Sequence, residues 1–504
     1  MKLKIIFLII VLCAMKSFSQ TQWTNYSDQP VLSMDTTIML WAAYGQPACI
    51  IQNDTFKMWY GVASGVNSGD TIPRGRTHYA WSVDGINWNK YSGNPVLDVG
   101  SAGQWDDEWL DTPEILWDGN EFKLYYYGDS VYMSGAVNAS IGLATSQDGI
   151  NWTKQGIVLQ KGNAGDWDGN FIESPAAYYD PSSGVYAMWY SAQDTAGWIR
   201  IGLAVSPDGS SWIKYPTPVL DHGSPGCWED IFVAVPAVIR TGHIFEMWYS
   251  GISNAGQFDS VFVGYAVSLN GTTWIKYPGN PVLSNAPGDT SRYWAVDVVW
   301  DANNNEYKLW YENNYKWDAN AIYMATSPRN VLYSNNCSVS VSNDTTINAD
   351  DSIVLHADGG TYYQWDPAYG LSDANIQNPT ASPDTTTQYT VLIVNDSCIT
   401  VDSVLVTVLP VSVAEHNKAV QDVQIYPNPA EDDATLVFSL SSDAVVSVNL
   451  KDIQGRTVKN IFFNNLCSGK QSVYIDSDYL SSGMYFLEID AENFKVLKKI
   501  IFTN

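Results

Sequence analysis

One phrase recurs five times in the first two thirds of this chain, and few folds can accommodate it. The copies are Lys57-Met58-Trp59-Tyr60, Lys123-Leu124-Tyr125-Tyr126, Ala187-Met188-Trp189-Tyr190, Glu246-Met247-Trp248-Tyr249 and Lys308-Leu309-Trp310-Tyr311, spaced 66, 64, 59 and 62 residues apart. A second phrase follows each of the first four: Ser82-Val83-Asp84-Gly85 to Trp88, Ser146-Gln147-Asp148-Gly149 to Trp152, Ser206-Pro207-Asp208-Gly209 to Trp212, and Ser268-Leu269-Asn270-Gly271 to Trp274. A third closes the unit, as Asn94-Pro95-Val96-Leu97, Pro218-Val219-Leu220 and Asn280-Pro281-Val282-Leu283, with Gly156-Ile157-Val158-Leu159 as a looser copy. Repeats of this period are a property of whole architectures rather than of single motifs.

Each unit reads as β structure. The aromatic phrases are short strands, and Asp-Gly or Asn-Gly pairs supply the positive φ that tight hairpins need. Another apolar strand precedes each aromatic one, for example Pro113-Glu114-Ile115-Leu116. Alternation in place of a 3.6-residue period excludes an α-solenoid. About 62 residues and four strands per copy describe a propeller blade. The fifth copy stops at Ala325-Thr326-Ser327-Pro328 without an outer strand. The missing text lies at the other end of the chain: Trp23-Thr24-Asn25-Tyr26 and Gln29-Pro30-Val31-Leu32 match Trp274 to Leu283, so the N-terminal strand is expected to complete the last blade and remove an open edge. The expected fold is all-β: a five-bladed β-propeller over 20–333, followed by two small β-sandwich domains.

Composition sharpens this. Of 21 Trp, 20 fall between Trp23 and Trp317, which assigns the aromatic excess to the propeller. With 53 acidic against 26 basic residues and a formal charge of -27, nucleic acid and anionic membrane are excluded as partners, since both select basic surface. Residues 1–19 have the layout of a secretory signal: Lys2 and Lys4, an apolar Ile5 to Ala14, and small residues at Ser17-Phe18-Ser19 before a cut at Gln20. No later run is long enough to span a bilayer. Export permits disulfides, and Cys337 with Cys398 is the expected pair. Cys49, Cys227 and Cys467 are scattered without a zinc pattern, and no cofactor is expected; a calcium ion in the channel has no sequence support.

From 337 to 410 the text shifts to Ser, Thr, Asp and Val, with strands at Ile353-Val354-Leu355, Tyr362 to Trp365 and Tyr389 to Val394. Trp365-Asp366-Pro367, Gly370-Leu371-Ser372, Asn378-Pro379 and Thr387 to Val391 resemble the immunoglobulin-like modules of secreted Bacteroidota proteins, which mostly act as spacers. A linker, 411–424, precedes 425–504. There Tyr426-Pro427-Asn428-Pro429, Asp452-Ile453-Gln454-Gly455-Arg456, Ser482 to Phe486 and Lys495 to Lys499 resemble the C-terminal sorting domain of the type IX secretion system. That resemblance implies the type IX machinery as a partner, passage through the outer membrane, and a secreted or surface-bound monomer.

Chemistry in a propeller collects where the inner strands border the channel. Those strands align on Pro47, Pro113, Pro175 and Pro236, with Asp297 taken as the fifth-blade counterpart. Two positions earlier stand Gly45, Asp111, Glu173, Ala234 and Ala295. Three blades manage without an acid there, so Asp111 and Glu173 are candidate functional groups. Glu173-Ser174-Pro175 opening an inner strand resembles the Glu-Gly-Pro and Glu-Cys-Pro motifs of glycoside hydrolase families 43 and 32. The resemblance implies Glu173 as the acid that protonates the leaving oxygen and Asp111 as the group that tunes it and orients sugar hydroxyls. Glycoside cleavage also requires a base or nucleophile. Those families place an Asp immediately before the first-blade proline, where this chain has Gln46. Candidate replacements are Asp297, Asp230, Glu229, Asp106 and Asp107. The repeated Trp105-Asp106, Trp167-Asp168 and Trp228-Glu229 pairs read instead as blade structure. The Ser-x-Asp-Gly phrases differ from sialidase Asp boxes by one residue and read as hairpin turns. The expected function is therefore a glycosidase acting on a plant or algal polysaccharide or oligosaccharide; the alternative is a carbohydrate-binding or adhesion propeller that has lost its base.

Overall fold

A computed structural model of the chain describes residues 23–33, 42–64, 74–130, 139–253, 261–284, 292–313, 321–328, 338–396, 398–409, 420–452, 454–478, 480–491 and 494–503. The signal segment, most of the linker and Cys337 lie outside the described residues. The chain divides into two compact units, Met1–Leu409 and Pro410–Asn504. No helix occurs among the described residues.

Over 23–328 the described strands fall into five antiparallel groups of four, the blades: three are separate sheets, and two are joined into one eight-stranded sheet by the parallel pair Ile199 and Phe232. Their inner strands are Ala42–Gln52, Trp109–Trp117, Phe171–Asp180, Phe232–Thr241 and Tyr293–Asp301. Each contacts the next, and the last contacts the first, so the ring closes. The aromatic phrases form the second strands, Thr55–Ser64, Phe122–Asp129, Val185–Gln193, Ile244–Ile252 and Glu306–Asn313. Closure uses the N-terminal text: Thr24 and Asn25 pair with Thr326 and Ala325, and Leu32 bridges to Ile322. The propeller thus has no open edge at its seam.

The repeated residues are cross-links between blades. Within each turn the Ser82, Ser146, Ser206 or Ser268 hydroxyl accepts the glycine N–H three residues on. The glycine carbonyl then accepts a side chain from the preceding blade: Trp310 Nε1 to Gly85, Trp59 Nε1 to Gly149, Tyr125 OH to Gly209 and Trp189 Nε1 to Gly271. Tyr125 therefore replaces a tryptophan without losing the bond. The fifth copy carries no glycine three residues after its serine, Ser327, and the buried Trp248 Nε1 has no acceptor among the described residues. Trp23 packs edge-on against that indole instead, centroids 6.1 Å apart.

Behind the aromatic strands sits a second repeated device. Asp106, Asp168 and Glu229 are buried and pair with Lys154, Lys214 and Lys276 at 2.6, 2.6 and 2.7 Å. The adjoining Trp105, Trp167 and Trp228 stack on Tyr126, Tyr190 and Tyr249. A buried ion pair of this kind fixes registry between elements, since its Coulombic gain is largely offset by desolvation.

Residues 338–409 form short sheets, the largest built from Thr345–Asn348, Cys398–Leu409, Thr387–Asn395 and Tyr362–Asp366. Cys398 is disulfide-bonded. This module does not behave as a detached spacer. Leu392, Val394 and Ile399 share a core with Tyr265, Tyr277 and Leu283 of blade four. Gln364 Oε1 accepts the Leu269 N–H and its Nε2 donates to the Thr273 carbonyl, so the module caps a blade-four hairpin. The second unit stacks a sheet of Val420–Tyr426, Ala434–Leu440 and Gly469–Ile475 on one of Thr457–Leu466, Ala444–Lys451, Gly483–Ala491 and Phe494–Phe502. Its core includes Leu436, Phe438, Val448, Leu487 and Ile500.

Candidate active site

Every inner strand is interrupted at the same point. Gln46, Thr112, Ser174, Val235 and Ala295 all have positive φ, and each lies at a bulge in the pairing with the second strand. In four blades the next residue is proline, which has no N–H to offer a ladder. This fivefold marker corrects the alignment of blade five. Val296, not Asp297, holds the proline position, and the residue two before it is Trp294 rather than Ala295. Blade five lacks the proline that anchors the other four, so the sequence alignment slipped by one.

With the register set, the position two before the proline holds Gly45, Asp111, Glu173, Ala234 and Trp294. Their ladder partners on the second strands are Gly61, Tyr127, Ser191, Ser250 and Glu312. Asp111 lies against Gly61 of the preceding blade, where a Cβ would collide with its Oδ1. Tyr127, on blade two, feels the charges of Glu173 and Asp111. A Cβ on Gly45 would lie 2.6 Å from Glu312 Oε2, so the carboxylate of Glu312 fills the space left by the first-blade glycine.

Asp111, Glu173 and Glu312 thus gather at the end of the channel where the inner strands begin. Asp111 Oδ1 accepts the Thr112 N–H at 2.9 Å, and its Oδ2 accepts Trp109 Nε1 at 3.3 Å. Burial pushes Asp111 up against these lowering bonds. Burial first, then the Asp111 charge, raises Glu173 to about 7 and Glu312 to about 8. Asp111 is the charge common to both. Carboxyls held near neutrality by burial and by a like charge are suited to proton transfer. Among the described residues no three His, Cys, Asp or Glu side chains are clustered closely enough to hold a metal ion.

Asp297 is not brought to this group. It stands one residue past the proline position, where the other blades carry Ala48, Glu114, Ala176 and Ala237. The axial cavity below the acids is lined by Asp297 and Glu114 together with Gln46, Thr112, Ser174 and the prolines. Asp297 accepts the N–H of Cys49 in blade one and of its neighbour Val298. Glu114 accepts the N–H of Ala177 in blade three at 2.8 Å. Both carboxylates staple their strand to the next, and burial raises Asp297 to about 7. The other candidate bases are also committed to structure. Asp106 and Glu229 are the lysine partners described above, while Asp107 and Asp230 accept the N–H of Gly103 and Gly226 in equivalent loops. Sequence reasoning missed Glu312 because it compared inner strands only. The signal was present one residue past the aromatic phrase, where the five copies read Gly61, Tyr127, Ser191, Ser250 and Glu312.

Residues 424–503 match the family of secretion system C-terminal sorting domains. A tail of this kind directs a protein through type IX secretion to the cell surface or the extracellular space. The chain is an exported protein. An uncharacterized protein of Mycobacterium tuberculosis is 28% identical over 204 residues, which is 39% of this chain and 63% of that protein. An A type blood N-acetyl-alpha-D-galactosamine deacetylase of Flavonifractor plautii is 29% identical over 151 residues, 28% of this chain and 18% of that protein. The chain spans less than two thirds of the length of these curated relatives. Among solved structures, a glycoside hydrolase superposes with a TM-score of 0.49 at 19% identity, covering 61% of this chain and 92% of its own. A structure from the GH130 family of mannoside phosphorylases gives 0.48 at 16% identity, covering 62% and 95%. A thermostable family-43 glycoside hydrolase gives 0.43 at 18% identity, covering 58% and 91%. At such scores the fold rests on the strand pairing itself.

Proposed function

We propose that the exported propeller cleaves glycosidic bonds in a plant or algal polysaccharide or oligosaccharide by carboxylate acid/base chemistry. Glu173 is the general acid in this reading. Burial and the neighbouring Asp111 charge keep its proton on near neutrality, so it can be delivered to the leaving oxygen as the bond breaks. Asp111, held by the Thr112 N–H and the Trp109 indole, supplies the charge that sustains this and an acceptor for sugar hydroxyls. The observation that carries the reading is the gathering of Asp111, Glu173 and Glu312 at one end of the channel, where the remaining blades have no acid. The immunoglobulin-like assignment of 338–409 is part of the same proposal: a sandwich packed on blade four extends the rigid body that presents the site.

The test is turnover by the mature chain on a panel of aryl glycosides and polysaccharides, with N-acetylhexosamine substrates included because of the deacetylase relative. The expected result is hydrolysis that falls ~10²–10⁴-fold in Glu173→Gln. A second reading, a carbohydrate-binding propeller without catalysis, is favoured by Gln46 at the position of the family's base. Tight sugar binding with no turnover of any substrate would select it.

A further inference from the structure

A glycosidase with an acid on blade three needs a second carboxylate on the far side of the sugar. The first blade, which resembles the family's usual source, offers Gly45 and Gln46. Neither can take a proton in this role. The fivefold register shows what occupies the place instead. In blade two the residue two before the proline, Asp111, faces Gly61 on the second strand of the preceding blade. At the seam between blades five and one that pairing is inverted: the inner-strand residue, Gly45, has no side chain, and the second-strand residue, Glu312, projects its carboxylate into the vacated space, 2.6 Å from where a Gly45 Cβ would stand. Glu312 thus stands at the seam between blades five and one and Asp111 at the seam between blades one and two, and the charge of Asp111 reaches both Glu312 and Glu173.

Two buried polar atoms without protein partners lie on residues that line the axial cavity. Gln46 Oε1, next to Gly45, is buried with no hydrogen bond, and so is Ser174 Oγ, next to Glu173. Ser174 is only 3% exposed. Both residues line the axial cavity beneath the acids. Buried acceptors and hydroxyls are seldom left unsatisfied, so each marks a place for a bound water or a sugar hydroxyl.

We propose that Glu312 is the catalytic base, relocated from the first blade to the fifth, and that it activates the attacking water. This rests on the glycosidase reading above. The reactive form is the one with Glu312 ionised and Glu173 protonated, a minority form at neutral pH because burial favours the proton on Glu312. In it the water oxygen bonds to the anomeric carbon as one of its protons passes to the Glu312 carboxylate. The glycosidic C–O bond breaks with its electron pair moving to the leaving oxygen, which takes the proton of Glu173. One water is consumed, two hydroxyl-bearing products form, and solvent returns the proton from Glu312 to Glu173. Attack from the side opposite the leaving group inverts the anomeric configuration.

The experiment compares wild type, Glu312→Gln, Glu312→Gly and Glu173→Gln on two glycosides of whichever panel sugar is turned over. One carries a 2,4-dinitrophenyl group and the other an unactivated leaving group. Thermal unfolding establishes that each variant is folded. The expected result is a ~10²–10⁴-fold loss in Glu312→Gln on both substrates, against a loss in Glu173→Gln confined to the unactivated one. Azide should restore turnover to folded Glu312→Gly by taking the place of the activated water, yielding a glycosyl azide. Wild-type activity retained in Glu312→Gln, or folded Glu312→Gly that azide does not rescue, overturns the assignment while leaving the glycosidase reading intact. Products of retained configuration overturn the base role in favour of another carboxylate chemistry. A wild type inert on the whole panel overturns both readings together.

Discussion

Two groups of carboxylates stand at different levels of the inner strands, and the lower one is tied to the backbone of the next blade. In the lower layer, Asp297 and Glu114 each accept backbone N–H groups from the next blade. In the upper layer, Glu173 and Glu312 are raised by burial and by the charge of Asp111. The lower pair spends its lone pairs on the scaffold. In both layers charge on one member discourages charge on another, Asp297 acting on Glu114 as Asp111 acts on Glu173 and Glu312. Burial and a shifted pKa alone do not separate the two layers, since Asp297 and Glu173 are both raised to about 7. The partners do.

The largest expected contrast comes from removing one acid from each layer. Glu173→Gln should lower kcat by ~10²–10⁴-fold in protein that is no less stable than wild type. Asp297→Asn should do the reverse, costing ~1–3 kcal/mol in urea unfolding through a weakened staple while folded protein keeps near wild-type kcat. Equal losses of activity in both would erase the distinction between layers.

A narrower probe is Gly45→Ala. The added methyl must displace the Glu312 carboxylate, a flexible end that can move, so stability should change by less than ~1 kcal/mol. Activity should fall ~10-fold because a misplaced catalytic group loses orientation. Unchanged kinetics would show that the Glu312 position is immaterial.

Both layers should shape the pH dependence of stability, since Asp297 and Glu114 are raised as well as Glu173 and Glu312. A carboxyl whose pKa is raised on folding binds more protons in the folded than in the unfolded chain, so stability falls as pH rises from the unfolded value through the folded one. For Glu173 and Glu312 that window runs from 4.5 to about 7 and about 8. The melting temperature should therefore decline across it, and Glu173→Gln with Glu312→Gln should flatten the decline. The smallest effect concerns the scaffold alone: Trp59→Phe removes the bond to the Gly149 carbonyl and should cost ~1 kcal/mol without altering kcat.

Much of this was legible in the sequence, and the boundary has physical causes. Trp59, Trp189 and Trp310 repeat because one hydrogen bond to a neighbouring glycine turn recurs around the ring, and a repeated interaction writes a repeated text. Seam closure by Thr24 and Asn25 was readable for the same reason. Asp111 and Glu173 stood out because they break the repeat at an inner-strand position where three blades carry no acid. Asp297 was misplaced because blade five replaces the marker proline with Val296, and the bulge that preserves the register is a backbone feature. Glu312 was hidden because its role depends on a side chain crossing between blades five and one, which no comparison of inner strands reveals. The sandwich over 338–409 read as a spacer because Gln364, Leu392 and Val394 give no sign in the sequence that their partners lie in blade four.

The central claim, that Glu173 delivers a proton to the leaving group, is tested most directly by how kcat depends on the leaving group. A series of aryl glycosides with phenols of rising pKa should give a shallow dependence in wild type and a steep one in Glu173→Gln, because only the wild type protonates the departing oxygen. Parallel slopes for the two proteins would contradict the account.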